Sequence, residues 1–213
     1  MSPNEIDRKL AVIFVADVVG YSKHMENDEN ATLKAYGKCE TILNKLLNKY
    51  KGSIFNTAGD SVLAEFQSAV NAVECAVEFQ NELKKRNESK KTEVKLEFRI
   101  GINMGDVVMK DRNLLGDGVN IAARLEALAQ PNGISISKSI YDIVVPKTKV
   151  TFNDLGVQKV KQTTFHAYDI LLDPSQKRKI KSQSSFNITM ITSIAATIAV
   201  SYTHLPLPTS DLV

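Results

Sequence analysis

The stretch LAVIFVADVVGYS, residues 10–22, decides the fold of this chain. Its first part, from Leu10 to Ala16, is a short apolar run rich in β-branched residues, which is typical of a buried strand. Asp17 follows this run directly. A charged side chain at the end of a buried strand needs a partner or an exit to solvent, because burying an unpaired charge is costly. The stretch therefore predicts a buried strand that ends in an acidic residue, whose side chain either has a partner or reaches solvent.

A second acidic residue lies 43 positions later, where two further strands meet. In SIFNTAGDSVLAEF, residues 53–66, the segment 58–61 interrupts two strand-like runs and predicts a hairpin turn that carries Asp60. An aspartate beside glycine is, by itself, more often a turn residue than a ligand. If this hairpin pairs beside strand 10–16, however, both carboxylates point to one place. Two such oxygen ligands suit Mg²⁺, which keeps few protein ligands when it also binds nucleotide phosphates.

A third motif, LLGDGVNIAARLEALA at residues 114–129, predicts a helix from about Asp117 to Ala129. Asn120 and Arg124 are four positions apart and therefore lie on one face of that helix. Arginine can clamp phosphate oxygens with a planar fork of donors, and asparagine offers both a donor and an acceptor. Together with the two carboxylates, this pair favours phosphoryl or nucleotidyl transfer.

Four motifs, in this order, resemble the catalytic domain of class III adenylate and guanylate cyclases. They are FVADVVGYS at 14–22, FNTAGDSVLAEF at 55–66, FRIGINMGDVV at 98–108 and LLGDGVNIAARLE at 114–126. The resemblance spans roughly Arg8 to Leu172. It implies an α+β, ferredoxin-like nucleotide cyclase fold, in which a mostly antiparallel sheet has its helices packed on one face.

The resemblance also implies roles for the site residues. Asp17 and Asp60 would bind two divalent ions, Mg²⁺ or Mn²⁺, and the backbone carbonyl of Val18 would assist them. Asn120 would orient the ribose, and Arg124 would stabilise the charged transition state. The implied reaction is in-line attack of the ribose 3′-hydroxyl on the α-phosphorus, which yields a 3′,5′-cyclic nucleotide and pyrophosphate.

Three further positions would contact the substrate. Lys161, in QKVKQTTFHAYDI at 158–170, matches a family lysine that holds the triphosphate, although a single lysine in a basic stretch is usually just solvated. Adenylate-forming relatives typically carry lysine and aspartate where this chain has Asn56 and Asn113. Because an amide can donate or accept, the two asparagines could read the purine edge either way, or they could merely cap turns. ATP is the favoured substrate, while GTP or relaxed specificity stays open.

In this family the active site lies between two catalytic domains. A chain that carries both the metal carboxylates and the asparagine and arginine therefore implies a homodimer with two composite sites. The substituted base positions also leave open a different class of function. The chain could be a dimerising nucleotide-binding regulatory module without turnover.

Composition supports a catalytic domain that does not bind nucleic acid. The chain has 213 residues, of which 43% are hydrophobic and 24% charged, enough for one domain with a sizeable core. The net charge is only +3, and no basic patch is interleaved with aromatic residues, so nucleic acid is not expected as a partner. Cys39 and Cys75 fall in helical patterns and are interpreted as reduced, partly buried thiols of a cytosolic protein.

The end of the chain differs from the rest in composition, and the sequence as a whole predicts four segments. Residues 1–172 form the catalytic domain, and 173–185 form a basic polar linker. Residues 186–200 contain no charge and are interpreted as the start of a transmembrane helix that tethers the domain to the inner face of the membrane, although 15 residues are short of the roughly 20 needed to span a bilayer. A terminal amphipathic or buried helix is the alternative. Residues 201–213 resemble translated sequencing-adapter read-through and receive no function.

Periodicity and turn residues predict an alternating order of strands and helices. The predicted elements are a strand at 10–16, a helix at 28–50, the hairpin at 53–66, a helix at 68–86, a strand at 94–103 that turns at Gly105, the helix at 117–129, a strand at 134–137, a short helix at 139–145, and strands at 150–155 and 166–171. The strand at 94–103 is expected to be half-exposed, because apolar residues alternate with charged ones in it: Leu96, Phe98 and Ile100 against Lys95, Glu97 and Arg99.

Overall fold

A computed structural model describes residues 8–110, 113–173, 175, 177 and 178. In chain order the elements are β1 (Arg8–Val18), α1 (Tyr21–Asn27), α2 (Glu29–Lys49), β2 (Gly52–Ala58), β3 (Ser61–Phe66), α3 (Ala69–Glu88), β4 (Phe98–Lys110), β5 (Asn113–Leu115), α4 (Asp117–Leu128), β6 (Ile134–Ser137), α5 (Lys138–Val144), β7 (Thr151–Val160) and β8 (Thr163–Leu171).

The strands form one sheet in the order β2-β3-β1-β4-β6-β8-β7, and β5 pairs with the far end of β4. Among the described strands, β4 and β6 form the parallel pair and the other pairs are antiparallel. This arrangement confirms the predicted α+β fold with a mostly antiparallel sheet. It also places β1, which ends in Asp17, between the hairpin β2–β3 and the long strand β4.

Strand β1 is buried on both faces, as its apolar run predicts. Its even-numbered side chains, such as Phe14, pack in the core formed with α2, α3 and α5. Its odd-numbered side chains, such as Ile13, pack in a second core that includes Ala122 of α4. The prediction that all helices pack on one face is therefore wrong, because α4 covers the opposite face.

Helix α4 lies on that face because glycines in β4 leave room for its backbone. A Cβ atom on Gly101 would be 2.2 Å from the Ala122 carbonyl oxygen, and one on Gly105 would be 3.0 Å from the Gly118 Cα. The expected turn at Gly105 is accordingly wrong. This glycine permits close packing inside a strand that continues without a break to Lys110.

Helix starts were predicted well where a side chain caps them. Asp28 accepts a hydrogen bond from the Ala31 N–H at 2.9 Å at the start of α2, and the Ser68 side chain accepts one from Asn71 at the start of α3. Helix α1 was missed, since its N-cap is Gly20 without a side-chain cap. The strand expected from 94 begins only at Phe98, although Leu96 is buried as the alternation predicted.

Cys39 and Cys75 are both free thiols, as predicted, and they are fully rather than partly buried. The cytosolic location inferred from them stays a prediction. In the part of the chain that the structure describes, no helix is long and apolar enough to cross a membrane. The predicted membrane segment 186–200 lies outside the described residues. Within the predicted linker, Arg178 contacts the catalytic domain through two hydrogen bonds to Asp169, at 2.7 and 3.0 Å.

Candidate active site

The two predicted acidic residues converge at one end of the sheet. Strand β3 pairs antiparallel with β1, and this pairing brings the turn before β3 beside the end of β1. The Ser61 hydroxyl donates to Asp17 Oδ1, and the Val18 N–H donates to Asp60 Oδ2 at 3.2 Å. The geometric prediction that both carboxylates point to one place is therefore confirmed. Their role as metal ligands stays a prediction.

The environment of Asp60 disfavours its charged form. Burial, and next the nearby charge of Asp17, raise the pKa of Asp60 from its usual value of 3.8 to about 6. Hydrogen bonds from backbone N–H groups act in the opposite direction but do not cancel these two effects. Two carboxylates that lie together in spite of burial and charge repulsion are typical of a functional site rather than of a turn.

These residues fit a divalent cation that also binds a nucleotide. Among the described residues, no three histidine, cysteine or acidic side chains converge as a closed metal cage. Two carboxylates suit Mg²⁺ instead, since this ion keeps several positions for water and phosphate oxygens. The Val18 N–H is directed to Asp60. Because the N–H and C=O of one strand residue point to the same side, the Val18 carbonyl is expected on that side as well. The donor set therefore fits the expected ligands.

Two charged residues that the sequence analysis did not assign complete the surroundings of Asp17. Arg99 lies opposite Asp17 in the pairing of β1 with β4, and its Nη2 donates to Asp17 Oδ2 at 3.2 Å. Its Nε lies 2.8 Å from Glu126 Oε1, in an ion pair without an aligned hydrogen bond. The alternation of strand 94–103 had placed Arg99 on the polar face. Its partners could not be inferred, because they depend on strand pairing and on the position of α4.

The predicted pair on α4 faces away from the sheet. Asn120 is exposed and Arg124 is partly exposed. The opposite side of the helix packs against β4 and β1, and its buried residues are Gly118, Ala122, Leu125 and Glu126. The two side chains are thus on one face, as their spacing predicts, and that face is directed outward from the protomer's own sheet.

The three predicted substrate residues lie in separate elements. Asn56 is partly buried in β2, next to a bulge in the pairing with β3. Asn113 begins β5, and its side-chain oxygen accepts the N–H of Leu114 at 2.9 Å, a local contact of the kind that a turn-capping role requires. Lys161 is exposed in the tight turn between β7 and β8, with φ of 56°. The structure leaves the substrate roles of all three as predictions.

Comparison with known proteins decides the family. The sequence model described as "Adenylate and Guanylate cyclase catalytic domain" matches residues 4–172. The chain belongs to this family. The resemblance inferred from four motifs is confirmed, and the chain contains a nucleotide cyclase catalytic domain.

Curated relatives of this cyclase domain are longer proteins. A candidate adenylate cyclase (adenylate cyclase 3) of Rhizobium meliloti (strain 1021) is 43% identical over 162 residues, which cover 76% of this chain and 28% of that protein. The adenylate cyclase of Streptomyces coelicolor is 29% identical over 144 residues, covering 66% of this chain and 35% of that protein. The chain therefore spans about a third or less of the length of these relatives.

Solved structures support the same fold. The adenylate/guanylate cyclase/hydrolase from Silicibacter pomeroyi is 35% identical, with a TM-score of 0.72, and covers 78% of this chain and 98% of its own. The adenylyl cyclase CyaB from P. aeruginosa has a TM-score of 0.69 over 86% of this chain and 100% of its own, and at 23% identity it shows the fold alone.

Proposed function

We propose that this cyclase domain converts ATP into 3′,5′-cyclic AMP and pyrophosphate for intracellular signalling. The observation that carries the proposal is the convergence of Asp17 and Asp60 on one point, with the pKa of Asp60 raised to about 6 by burial and by Asp17. Mutual repulsion at this point is relieved when a cation binds. The same arrangement has no evident use in a domain that only dimerises.

Asp17, Asp60 and the carbonyl of Val18 would hold two divalent ions, Mg²⁺ or Mn²⁺. When bound with the nucleotide, these ions would supply charge stabilisation and acidify the attacking hydroxyl. The chain's own contribution is to orient the ligands. Ser61 and Arg99 each hold one oxygen of Asp17, and the Val18 N–H holds Asp60.

Asn120 and Arg124 would act in the active site of the partner protomer. The support is their position on the face of α4 that points away from their own sheet, while the buried face of the helix packs on it. A two-fold dimer then forms two equivalent sites, each with acids from one protomer and the amide and guanidinium from the other. Arg124 would stabilise charge that develops on the phosphate, and Asn120 would orient the ribose.

The preferred substrate is ATP, with GTP, or both nucleotides, as the alternative. Relatives named adenylate cyclases, including the one with 43% identity, support ATP. Asn56 and Asn113 would contact the purine, and Lys161 would contact the triphosphate. Tethering to the inner face of the membrane through residues 186–200 remains a prediction from the sequence alone.

The experiment that tests the function is direct. The full chain is incubated with ATP or GTP and with Mg²⁺ or Mn²⁺, and products are identified by mass spectrometry. We expect cyclic AMP, and we expect Asp17→Asn, Asp60→Asn and Arg124→Ala each to lower the rate by at least about 100-fold. Glu65→Gln is the control, because its partner Lys9 lies at the other end of β1. Nucleotide binding without any cyclic product would instead favour the regulatory module.

Composite sites are tested by mixing two inactive variants, Asp17→Ala and Arg124→Ala. Random assortment of protomers makes half of the dimers mixed, and each mixed dimer holds one intact site of two. We therefore expect recovery of about one quarter of wild-type activity. Activity that never exceeds that of either parent would contradict composite sites.

A further inference from the structure

A line of three charged side chains connects the metal carboxylate to helix α4. Arg99 in β4 lies between them, with Nη2 3.2 Å from Asp17 Oδ2 and Nε 2.8 Å from Glu126 Oε1. The Glu126 residue is only 8% exposed. The contact thus passes from the end of β1, through one guanidinium, to the buried side of α4.

Stability alone gives little reason to bury this acid. Burial above all, with smaller contributions from Asp17 and Asp60, raises the pKa of Glu126 to about 7, because the nearby Arg99 offsets only part of these effects. A buried ion pair is often no more stabilising than well-packed apolar residues of similar size. An acidic residue at this position therefore calls for an explanation outside folding.

The position of Glu126 on α4 supplies that explanation. Gly101 allows the helix to approach so closely that a Cβ there would be 2.2 Å from the backbone nitrogen of Glu126. The acid is thereby fixed toward its own sheet. Asn120 and Arg124, on the other face of the same helix, point outward. A single rigid element thus carries groups directed both inward and outward.

We propose that Arg99 and Glu126 are positioning residues for Asp17, so that α4 serves both active sites of the dimer. The inference rests on the proposed composite sites. The outward face of α4 would supply Asn120 and Arg124 to one site. Its inward face would set, through Glu126 and Arg99, the metal carboxylate of the other site.

The charge of Glu126 has a predictable effect on cation binding. Charged Glu126 pairs with the same guanidinium as Asp17, so that Arg99 orients Asp17 without neutralising it fully. In Glu126→Gln, Arg99 would pair more completely with Asp17, and one nearby negative charge would be lost. Both changes weaken the attraction for a cation. Groups that orient metal ligands typically change metal affinity by about 10–100-fold when they are substituted.

Glu126→Gln is expected to fold. Glutamine has nearly the same size and shape as glutamate, and it carries no charge that has to be buried beside α4. Thermal unfolding of the variant checks this directly. Glu65→Gln is the matched control, because Glu65 also forms a cross-strand ion pair with a β1 residue, Lys9 at 2.6 Å, but does not contact Asp17.

The first test measures metal binding without turnover. At pH 8, where Glu126 with its pKa of about 7 is mainly charged, Mn²⁺ is titrated into the full chain with an ATP analogue whose α,β-bridging oxygen is replaced by methylene. Free Mn²⁺ is followed by electron paramagnetic resonance. We expect Glu126→Gln to bind Mn²⁺ about 10–100-fold more weakly, with Glu65→Gln near wild type. Wild-type affinity in a folded Glu126→Gln protein would overturn the proposal.

The second test locates the effect within the dimer. In the mixture of Asp17→Ala and Arg124→Ala, the intact site takes its carboxylates from the Arg124→Ala chain. Adding Glu126→Gln to that chain should lower the recovered activity at least about 10-fold, whereas adding it to the Asp17→Ala chain should change little. The reverse, or equal effects, would overturn the proposal alone. No recovery in the parent mixture would overturn the composite sites and this inference with them.

Discussion

The backbone N–H of Val18 donates to Asp60 Oδ2 at 3.2 Å, so the hairpin turn is attached to the last residue of β1. This bond holds the second carboxylate beside the first, although 43 positions of chain separate the two. The acid pair is consequently part of the sheet framework.

Asp60→Asn should stabilise the metal-free protein at high pH. The pKa of Asp60 is raised from 3.8 to about 6 in the fold, so its contribution to stability is fully present below pH 3.8 and is lost as the pH rises through about 6. Asparagine cannot become charged and avoids this loss. Allowing for solvent screening at this half-buried site, the gain at pH 8 is on the order of 1 kcal/mol.

Urea unfolding with EDTA at pH 5 and pH 8 measures the effect of Asp60→Asn. The difference between variant and wild type should grow from pH 5 to pH 8. If the difference in the free energy of unfolding is the same at pH 5 and pH 8, the folded protein does not disfavour the charged form of Asp60.

Gly101→Ala should damage both stability and catalysis. Its Cβ would lie 2.2 Å from two backbone atoms of α4, and backbone cannot move aside as a flexible side chain does. We expect a loss of about 3 kcal/mol or more in the free energy of unfolding, and a fall in activity as α4 shifts. Gly37→Ala in α2, where nothing lies within 4 Å of the new Cβ, should instead stabilise by about 0.5–1 kcal/mol. Equal effects of the two substitutions would contradict the packing argument.

Arg178→Ala should destabilise the catalytic domain although the family match ends at residue 172. Arg178 donates twice to Asp169, which is 6% exposed, and once to the Leu128 carbonyl at 2.7 Å. Among the described residues, removing Arg178 leaves the buried carboxylate of Asp169 with the Ser135 hydroxyl as its side-chain donor, at a cost of about 2–4 kcal/mol. Thermal unfolding should show a lowered midpoint, with the exposed Lys177→Ala as control. An unchanged midpoint of thermal unfolding would contradict a stabilising role for the contacts of Arg178.

The double variant Asn56→Lys, Asn113→Asp should sharpen selection for ATP. Adenine presents an amino donor beside a ring acceptor, and a lysine with an aspartate complements that pattern, whereas guanine presents the opposite one. We expect the ratio of kcat/KM for ATP over GTP to rise at least about 10-fold. An unchanged ratio would indicate that these positions only shape turns.

Local patterns sufficed for the strands and turns that carry the acids. The apolar run before Asp17 and the Ala-Gly-Asp-Ser turn around Asp60 determine their own conformation, and helical spacing placed Asn120 and Arg124 on one face. These features depend on neighbours in sequence. Sequence patterns alone therefore predicted them correctly.

Features that depend on long-range packing were missed. The alternation placed Arg99 on the polar face of its strand, but its partners come from β1 and α4. The strand pairing that sets Asp17 opposite Arg99 is not visible in local sequence. Gly105 was interpreted as a turn since a glycine that admits a helix looks the same in sequence as one that bends the chain. The position of α4 on the opposite face follows from the same close approach.

The most direct test of the central claim is whether Asp17 and Asp60 together bind a divalent cation with the nucleotide. Mn²⁺ binding to the full chain is measured calorimetrically with the methylene ATP analogue, for wild type, Asp17→Asn, Asp60→Asn and the control Glu65→Gln. The account predicts binding in wild type and control, and a loss of at least about 10-fold in each aspartate variant. Absence of Mn²⁺ binding in wild type, or wild-type affinity in either aspartate variant, would contradict it.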